Sequence, residues 1–221
     1  MWKRSGSILF DDEFPFFNLV TTKPLGNMRD KSVRSQYLSG FGFKQDDIIT
    51  AQQVHGDKVT VIKDKSECEV LGVDGLLTNI SGVGLCIFTA DCMPVLLGCS
   101  EKKVVGVIHA GWRGLAGGIL EQGVNKFCLE YNTKPGDIYA SIGPCIGPCC
   151  FEVGSEIAKS FNLKEEKISL DLRGIARGKL ENIGVKKISQ SDNCTQHETD
   201  LFFSYRRDKT AERIMTFVAI K

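Results

Sequence analysis

Apolar residues are concentrated in the middle of the chain, in short runs separated by brief polar gaps. Leu85–Leu97 reads LCIFTADCMPVLL, and Val104–Gly118 reads VVGVIHAGWRGLAGG. Lys58–Lys63 (KVTVIK) is β-branched and alternating, which is typical of a strand. The whole pattern predicts strands over residues 16–22, 48–51, 58–63, 75–79, 84–89, 95–99, 104–109, 137–142, 185–189 and 213–220.

Helical patterns occupy the segments between and after these strands. Asp30 is a suitable N-cap for a helix that runs through Tyr37-Leu38 and stops near Gly40. The longest pattern covers 115–131, and others cover 155–161 and 171–182. Mixed strands and helices predict an α+β or α/β fold, and the short central gaps favour hairpins. Because neither a Pro/Ser-rich linker nor a repeat divides the chain, we expect a single domain over residues 1–221.

Composition and charge argue against several classes of partner. The formal net charge is +1, so electrostatics give no reason to expect nucleic acid or an anionic membrane. No apolar stretch reaches the roughly 18 residues of a spanning helix. The N-terminus, MWKRSGSILFDDEF, is a poor signal peptide, so the nine cysteines indicate a cytoplasmic protein with reduced thiols.

Three side chains at the edges of apolar runs suggest a built site. They are His55, Cys92 and His109, and the chain has only three histidines. Imidazole nitrogen and thiolate sulfur are good ligands for zinc and copper, and three ligands leave one coordination position open. The residues alone leave three interpretations open: a catalytic metal site, a Cys92 nucleophile with His109 as its base, and ordinary packing.

Polar residues near these three are candidates for substrate or phosphate contacts. Asp91 would point away from Cys92 on a regular strand, but a bend there would let it orient a ligand. Arg113 lies in a Gly-Trp-Arg-Gly turn before a helix, where free N–H groups and a guanidinium would suit phosphate. Arg206 is a second anion candidate, and Gln53 is a further candidate for contacting substrate.

A rigid loop is predicted at 142–152, which reads IGPCIGPCCFE. Cys145, Cys149 and Cys150 could be further ligands or a redox pair. We favour thiols that form the wall of a pocket, because adjacent Cys149 and Cys150 are expected to point in different directions.

Several segments together resemble one known family. The blocks are QQVHGDKV, DGLLTN, TADCMPVLL, HAGWRGLAGG, IGPCIGPCCFEVG, LDLRGIAR, and CT followed by FFSYRRD. They fall in order from about residue 50 to 208 and are similar to the YfiH-like, laccase-domain family, also called polyphenol oxidase or purine nucleoside phosphorylase. Residues 1–49 match less well, since the family's early segment is usually richer in glycine.

The resemblance implies an α+β fold of layered mixed sheets flanked by helices, related to a toxin domain with a Cys–His hydrolase pair. It implies metal ligands at His55, Cys92 and His109, with zinc or copper as the cofactor. It also implies phosphorolysis of adenosine, inosine and methylthioadenosine, with adenosine deamination, so that the partners are a purine nucleoside and phosphate. The alternatives are a metal-free cysteine hydrolase or amidase using Cys92 and His109, and a copper-dependent polyphenol oxidase. The oligomeric state is left undefined.

Overall fold

The computed structural model describes residues 1–66 and 68–221. Its strands are β1 (Trp2–Ser5), β2 (Ile8–Asp11), β3 (Phe17–Thr21), β4 (Ile48–Gln52), β5 (Val59–Val61), β6 (Glu69–Leu71), β7 (Gly75–Thr78), β8 (Gly84–Thr89), β9 (Met93–Cys99), β10 (Val104–Ala110), β11 (Tyr139–Ile142), β12 (Glu152–Gly154), β13 (Lys167–Ser169), β14 (Lys187–Gln190) and β15 (Ile214–Ala219). Its α-helices are α1 (Lys31–Ser39), α2 (Trp112–Gly117), α3 (Ile119–Tyr131), α4 (Ser155–Lys159), α5 (Leu172–Asn182) and α6 (Tyr205–Asp208).

Two mixed sheets form the body of this α+β fold, as predicted. The seven-stranded sheet has the order β1-β2-β3-β15-β8-β4-β6, and the six-stranded sheet has the order β14-β11-β9-β10-β7-β5. β4 is parallel to β8 and β5 is parallel to β7, whereas β9 and β10 form an antiparallel hairpin. A small separate pair, β12 and β13, follows the cysteine-rich loop.

Strand periodicity explains how the sheets and helices stack in layers. Val105 and Val107 of β10 pack into the core between the two sheets, whereas Val104 and Ile108 face the core under α3. α1 covers the outer face of the seven-stranded sheet. Each fully buried aliphatic side chain of this kind contributes about 1.5–3 kcal/mol. The layering therefore holds the strand ends, where the candidate site lies, on a rigid support.

The prediction of one helix over 115–131 was wrong, because two helices occupy that segment. α2 ends and α3 begins at Gly118, whose φ of 91° is in the left-handed region. Apolar spacing continues through this corner, so periodicity alone does not reveal it. The helix predicted after Asp30 is confirmed, and the Asp30 carboxylate accepts hydrogen bonds from the N–H groups of Ser32 and Val33. Within residues 1–66 and 68–221, none of the helices has both the length and the apolarity needed to cross a bilayer.

The predicted central hairpins are confirmed for β9 and β10 but not for β8. β8 lies in the seven-stranded sheet between β15 and β4, although it precedes β9 by only three residues. Every residue of β8, β9 and β10 is buried, so their apolar runs do not show which strand each pairs with. The sequence patterns also missed the short strands β1, β2, β6, β12 and β13.

Candidate metal centre

Three donor side chains come together where strands of both sheets end. His109 is the penultimate residue of β10 and pairs with Pro94 of β9, two residues after Cys92. β4 is parallel to β8, so the segments that follow these two strands leave the sheet on the same side. This topology brings His55, which follows β4, close to Cys92, which follows β8.

The donor atoms of the three side chains lie within 4.8 Å of one another. The two imidazole rings have centroids 4.8 Å apart and are nearly perpendicular, at 84°. His109 is buried, Cys92 is half-buried and His55 is exposed, so the cluster opens on the His55 side. Two nitrogens and a sulfur in this arrangement match the donor set of a catalytic zinc site with one open position.

Gly111 provides the space between these donors. A Cβ at this position would lie 3.2 Å from Cys92 Sγ, 3.3 Å from His55 Cδ2 and 3.7 Å from His109 Cε1. The side chains therefore converge on a point that only a residue without a side chain leaves clear. This observation supports the fit of a metal ion to the cluster.

Asp74 positions both histidines. Its carboxylate lies 2.7 Å from His109 Nδ1, which leaves Nε2 as the nitrogen for a metal. The same carboxylate accepts hydrogen bonds from the backbone N–H groups of Val54, His55 and Gly56 at 3.2, 3.0 and 2.8 Å. These bonds hold His55 at its left-handed φ of 61°, an unfavourable conformation for a residue with a Cβ.

Electrostatics within the cluster favour the charged forms of Cys92 and His109. Burial disfavours the Cys92 thiolate, but the charge on His109 and hydrogen bonds from both imidazoles lower the Cys92 pKa from 9.0 to about 6. Burial also disfavours the His109 cation, but the Cys92 thiolate and Asp74 raise the His109 pKa from 6.5 to about 9. The thiolate is the form of cysteine that binds metals and attacks electrophiles.

The cluster borders a cavity of about 500 Å³. Trp112, Phe151 and Tyr205 contribute aromatic surface to its lining, and Asp91 alone supplies an acidic side chain among the described lining residues. Its cationic lining residues are Arg29, Arg113, Arg206, Lys209 and Arg213. A concave site with this charge is suited to an anionic ligand that also has an apolar face.

Residues 21–221 match the family model described as multi-copper polyphenol oxidoreductase laccase. The chain belongs to this family. Purine nucleoside phosphorylase YfiH from Shigella flexneri is 38% identical over 178 residues, which cover 76% of this chain and 71% of that protein. The YfiH-like resemblance expected from the sequence motifs is thus confirmed.

Two further relatives have related names. Purine nucleoside phosphorylase YlmD from Geobacillus stearothermophilus is 34% identical over 230 residues, covering 92% of this chain and 84% of that protein. The crystal structure of YlmD matches this fold with a TM-score of 0.91 and 31% identity, over 99% of this chain and 98% of that one. Adenosine deaminase RL5, from an unknown prokaryotic organism, is 35% identical over 189 residues, covering 75% of this chain and 72% of that protein.

Arg113 and Arg206, two residues selected from the sequence, line the cavity of this YfiH-like chain. The guanidinium of Arg113 stacks on Trp112 at 4.3 Å and makes no hydrogen bond or ion pair with the described residues. Arg206 donates from Nη1 to the carbonyl of Glu152 at 2.9 Å and lies 5.1 Å from the Phe151 ring. Arg113 is therefore the more available of the two for an incoming anion.

Gln53 and Asp91 also line the cavity, but both side chains make hydrogen bonds to other residues of the YfiH-like fold. The Gln53 amide exchanges two 2.8 Å hydrogen bonds with the backbone of Phe88. The Asp91 carboxylate accepts from Thr195 Oγ1 at 2.7 Å, and from Ser204 Oγ and the Arg206 N–H at 3.0 and 2.6 Å. Asp91 thus holds the C-terminal segment that carries Arg206, and the carboxylate that contacts His109 is that of Asp74.

The sequence patterns did not single out Asp74, Arg29 or Arg213. Asp74 is the first residue of the DGLLTN block. Its carboxylate is fully buried, which distinguishes it from an ordinary surface aspartate, but this burial is visible only in the fold. Arg29 and Arg213 approach the cavity from opposite ends of the chain. Burial and the nearby charge of Arg29 lower the pKa of Arg213.

The prediction that Cys149 and Cys150 point in different directions was wrong. Their Sγ atoms lie 3.4 Å apart, and Cys149 Sγ lies 3.6 Å from Cys194 Sγ. These residues lie in a turn after Pro148 and not in a strand, so their side chains do not alternate. Ile146 and Phe151 of the same loop line the cavity.

Proposed function

We propose that this protein is a metal-dependent purine nucleoside phosphorylase that acts on adenosine, inosine and methylthioadenosine and also deaminates adenosine. The observation that carries the proposal is the His55/Cys92/His109 cluster at the edge of a cavity lined by five cationic side chains. Such a cavity can accept a nucleoside and a phosphate ion together. The names of the relatives support the same chemistry.

The cationic side chains that line the cavity would bind phosphate. Arg113 is exposed to the cavity with its guanidinium carbon 4.3 Å from the Trp112 ring centroid, so its N–H groups can bind phosphate oxygens in a paired geometry. Burial and the nearby positive charge of Arg29 lower the pKa of Arg213, so the two arginines lie close enough to repel each other. An anion between these two arginines would relieve their repulsion, so they are additional phosphate contacts in this proposal.

The aromatic lining accounts for the base. Trp112, Phe151 and Tyr205 offer ring faces on which a purine can stack. In phosphorolysis the bond between the sugar and the purine nitrogen breaks and a phosphate oxygen bonds to the same sugar carbon. The base takes up a proton as it leaves. Holding phosphate and nucleoside in line converts this into an effectively unimolecular step, which supplies much of the rate.

His55, Cys92 and His109 would hold a zinc ion, with copper as the alternative. When bound, such an ion would supply Lewis acidity, which stabilises negative charge on the departing purine in phosphorolysis, and would lower the pKa of water, the chemistry that deamination needs. Asp74 bonds His109 Nδ1 and so would keep Nε2 directed at the ion, and its three hydrogen bonds from backbone N–H groups fix the loop that carries His55. Hydrogen bonds of this kind, from a neighbouring residue to the metal-ligating side chains, orient the ligands of a metal centre.

Product analysis tests the proposal. Protein loaded with zinc or with copper is incubated with adenosine and phosphate. Adenine with ribose 1-phosphate reports phosphorolysis, and inosine with ammonia reports deamination. We expect both product pairs, and we expect ribose 1-phosphate only when phosphate is present. Absence of all four products with either metal would defeat the nucleoside proposal.

A second candidate is a metal-free cysteine hydrolase or amidase. The succession Asp74–His109–Cys92 has the order of a nucleophilic triad, with a 2.7 Å contact between the carboxylate and the imidazole. In that case, protein stripped of metal would release amine from an amide substrate and Cys92→Ala would not. A stoichiometric metal that Cys92→Ala loses, with no amide hydrolysis by the stripped protein, would rule this candidate out.

A further inference from the structure

A cluster of three thiols is distinct from the His55/Cys92/His109 centre. Cys149 and Cys150 come from the loop after β11, and Cys194 comes from the segment after β14. The three ligand atoms lie within 4.8 Å of one another. Cys149 is exposed, Cys150 is half-buried and Cys194 is buried, so the cluster is reachable from solvent on one side.

The separations between the thiols fit a single ion. A Zn–S bond of about 2.3 Å with tetrahedral angles places two sulfurs about 3.8 Å apart. The distances from Cys149 Sγ to the Sγ atoms of Cys150 and Cys194 are 3.4 and 3.6 Å. These two separations differ from that value by a few tenths of an ångström, which side-chain rotation can provide, and the Sγ atoms of Cys150 and Cys194 lie within 4.8 Å of each other.

Gly147 is placed at this cluster much as Gly111 is placed at the first one. Its N–H donates to Cys194 Sγ at 3.2 Å, which favours the thiolate. A Cβ on Gly147 would lie 3.4 Å from both Cys149 Sγ and Cys194 Cβ, and 2.8 Å from Nη2 of Arg173. Arg173 is only 7% exposed, so a buried positive charge lies next to Gly147, in the loop that carries Cys149 and Cys150. This charge would offset the excess negative charge of three thiolates on one ion.

We propose that Cys149, Cys150 and Cys194 form a second metal site, for a thiophilic ion, Zn²⁺ or Cu⁺. Thiolates select these ions over harder cations. The site is structural: the ion would join the loop that carries Ile146 and Phe151 to the segment whose Thr195 bonds Asp91, beside Cys92. The ion would thereby stabilise the wall of the cavity that Ile146 and Phe151 form.

Metal counting in a Cys92→Ala background tests the proposal, because that variant lacks a ligand of the first centre. Reduced, metal-free protein is titrated separately with Zn²⁺ and with Cu⁺, and bound ion is measured after desalting. We expect one equivalent of the preferred ion in Cys92→Ala and none after Cys149→Ser and Cys194→Ser are added. Cys68→Ser, another exposed cysteine, is the matched control and should retain the equivalent.

Cobalt substitution provides a readout that a folding defect would not reproduce. Three thiolates should give the Cys92→Ala protein a strong sulfur-to-cobalt charge-transfer band, and Cys149→Ser, which alters an exposed side chain, should weaken it. Failure of Cys92→Ala to bind any ion, or binding that survives Cys149→Ser with Cys194→Ser, would overturn the second site.

The two centres fail in distinguishable ways. If wild-type protein binds one ion that Cys92→Ala loses and the Cys149→Ser/Cys194→Ser variant keeps, the second site is wrong and the first stands. The reverse pattern would support the second site and remove the first. Isolation of a Cys149–Cys194 disulfide that persists in place of bound ion under reducing conditions would also overturn the second site.

Discussion

Gly111→Ala adds one methyl group at the point where the three donors of the first centre converge. The backbone there has φ −69° and ψ 166°, which alanine adopts without strain. The added Cβ would lie 3.2 Å from Cys92 Sγ and 3.3 Å from His55 Cδ2. The substitution therefore acts on the ligands and not on the backbone conformation.

The size of the effect follows from these distances. Nonbonded carbon contacts are most favourable at about 3.5–4.0 Å, so the two ligands must withdraw by roughly 0.2–0.8 Å. Metal–ligand distances tolerate only about ±0.2 Å. The disturbance thus exceeds what the centre can absorb. We expect metal affinity to fall by about 10–100-fold, the range seen when ligand-positioning residues are lost. This corresponds to about 1.4–2.8 kcal/mol.

Competition with a chelator of known affinity measures this loss, and thermal unfolding of the metal-free proteins checks the fold. Gly117→Ala is the matched control, because its Cβ would meet only Asp57, at 3.7 Å. It should bind metal as wild-type protein does. Wild-type affinity in Gly111→Ala would refute the argument that the three side chains converge on an ion.

Three further changes test other parts of the account. Asp74→Asn places an amide N–H₂ against backbone N–H donors, so it should cost about 1–3 kcal/mol in urea unfolding and also weaken metal binding at His109; unchanged stability and affinity would contradict its positioning role. Arg113→Gln should raise the KM for phosphate and leave the rate of adenosine deamination unchanged, whereas the exposed-surface control Arg4→Gln should alter neither; an unchanged phosphate KM removes Arg113 from the phosphate site. Gly118→Ala forces alanine to a φ of 91° and should lower the free energy of unfolding by about 1–2 kcal/mol, with metal affinity preserved; equal unfolding midpoints would show that the corner relaxes.

The sequence predicts the donors of the first centre because each is a reactive side chain at the end of an apolar strand. His109 follows five buried positions of β10, and Cys92 interrupts a run of apolar residues. Strand ends are where a sheet presents side chains to a cavity, so type and position together were informative. The left-handed conformations of His55 and Asp91 were not predictable, because they depend on bonds made from distant segments.

The features that the sequence did not predict depend on contacts between residues that lie far apart in the chain. Asp74 bonds His109 and the His55 loop, 35 and 19 residues away, and no local pattern links an acidic residue to such partners. Cys194 joins Cys149 from 45 residues away in the same manner. β8 lies in one sheet and β9 in the other. The sequence does not predict this division, because a fully buried apolar strand fits either sheet equally well.

The most direct test of the central claim is the rate of ribose 1-phosphate formation as metal is returned to chelator-treated protein. The account predicts that the stripped protein is inactive with adenosine and phosphate. It also predicts that the rate rises in proportion to the ion bound at His55, Cys92 and His109, and that Cys92→Ala stays inactive at every metal concentration. A full rate in stripped protein, or in Cys92→Ala, would contradict the account.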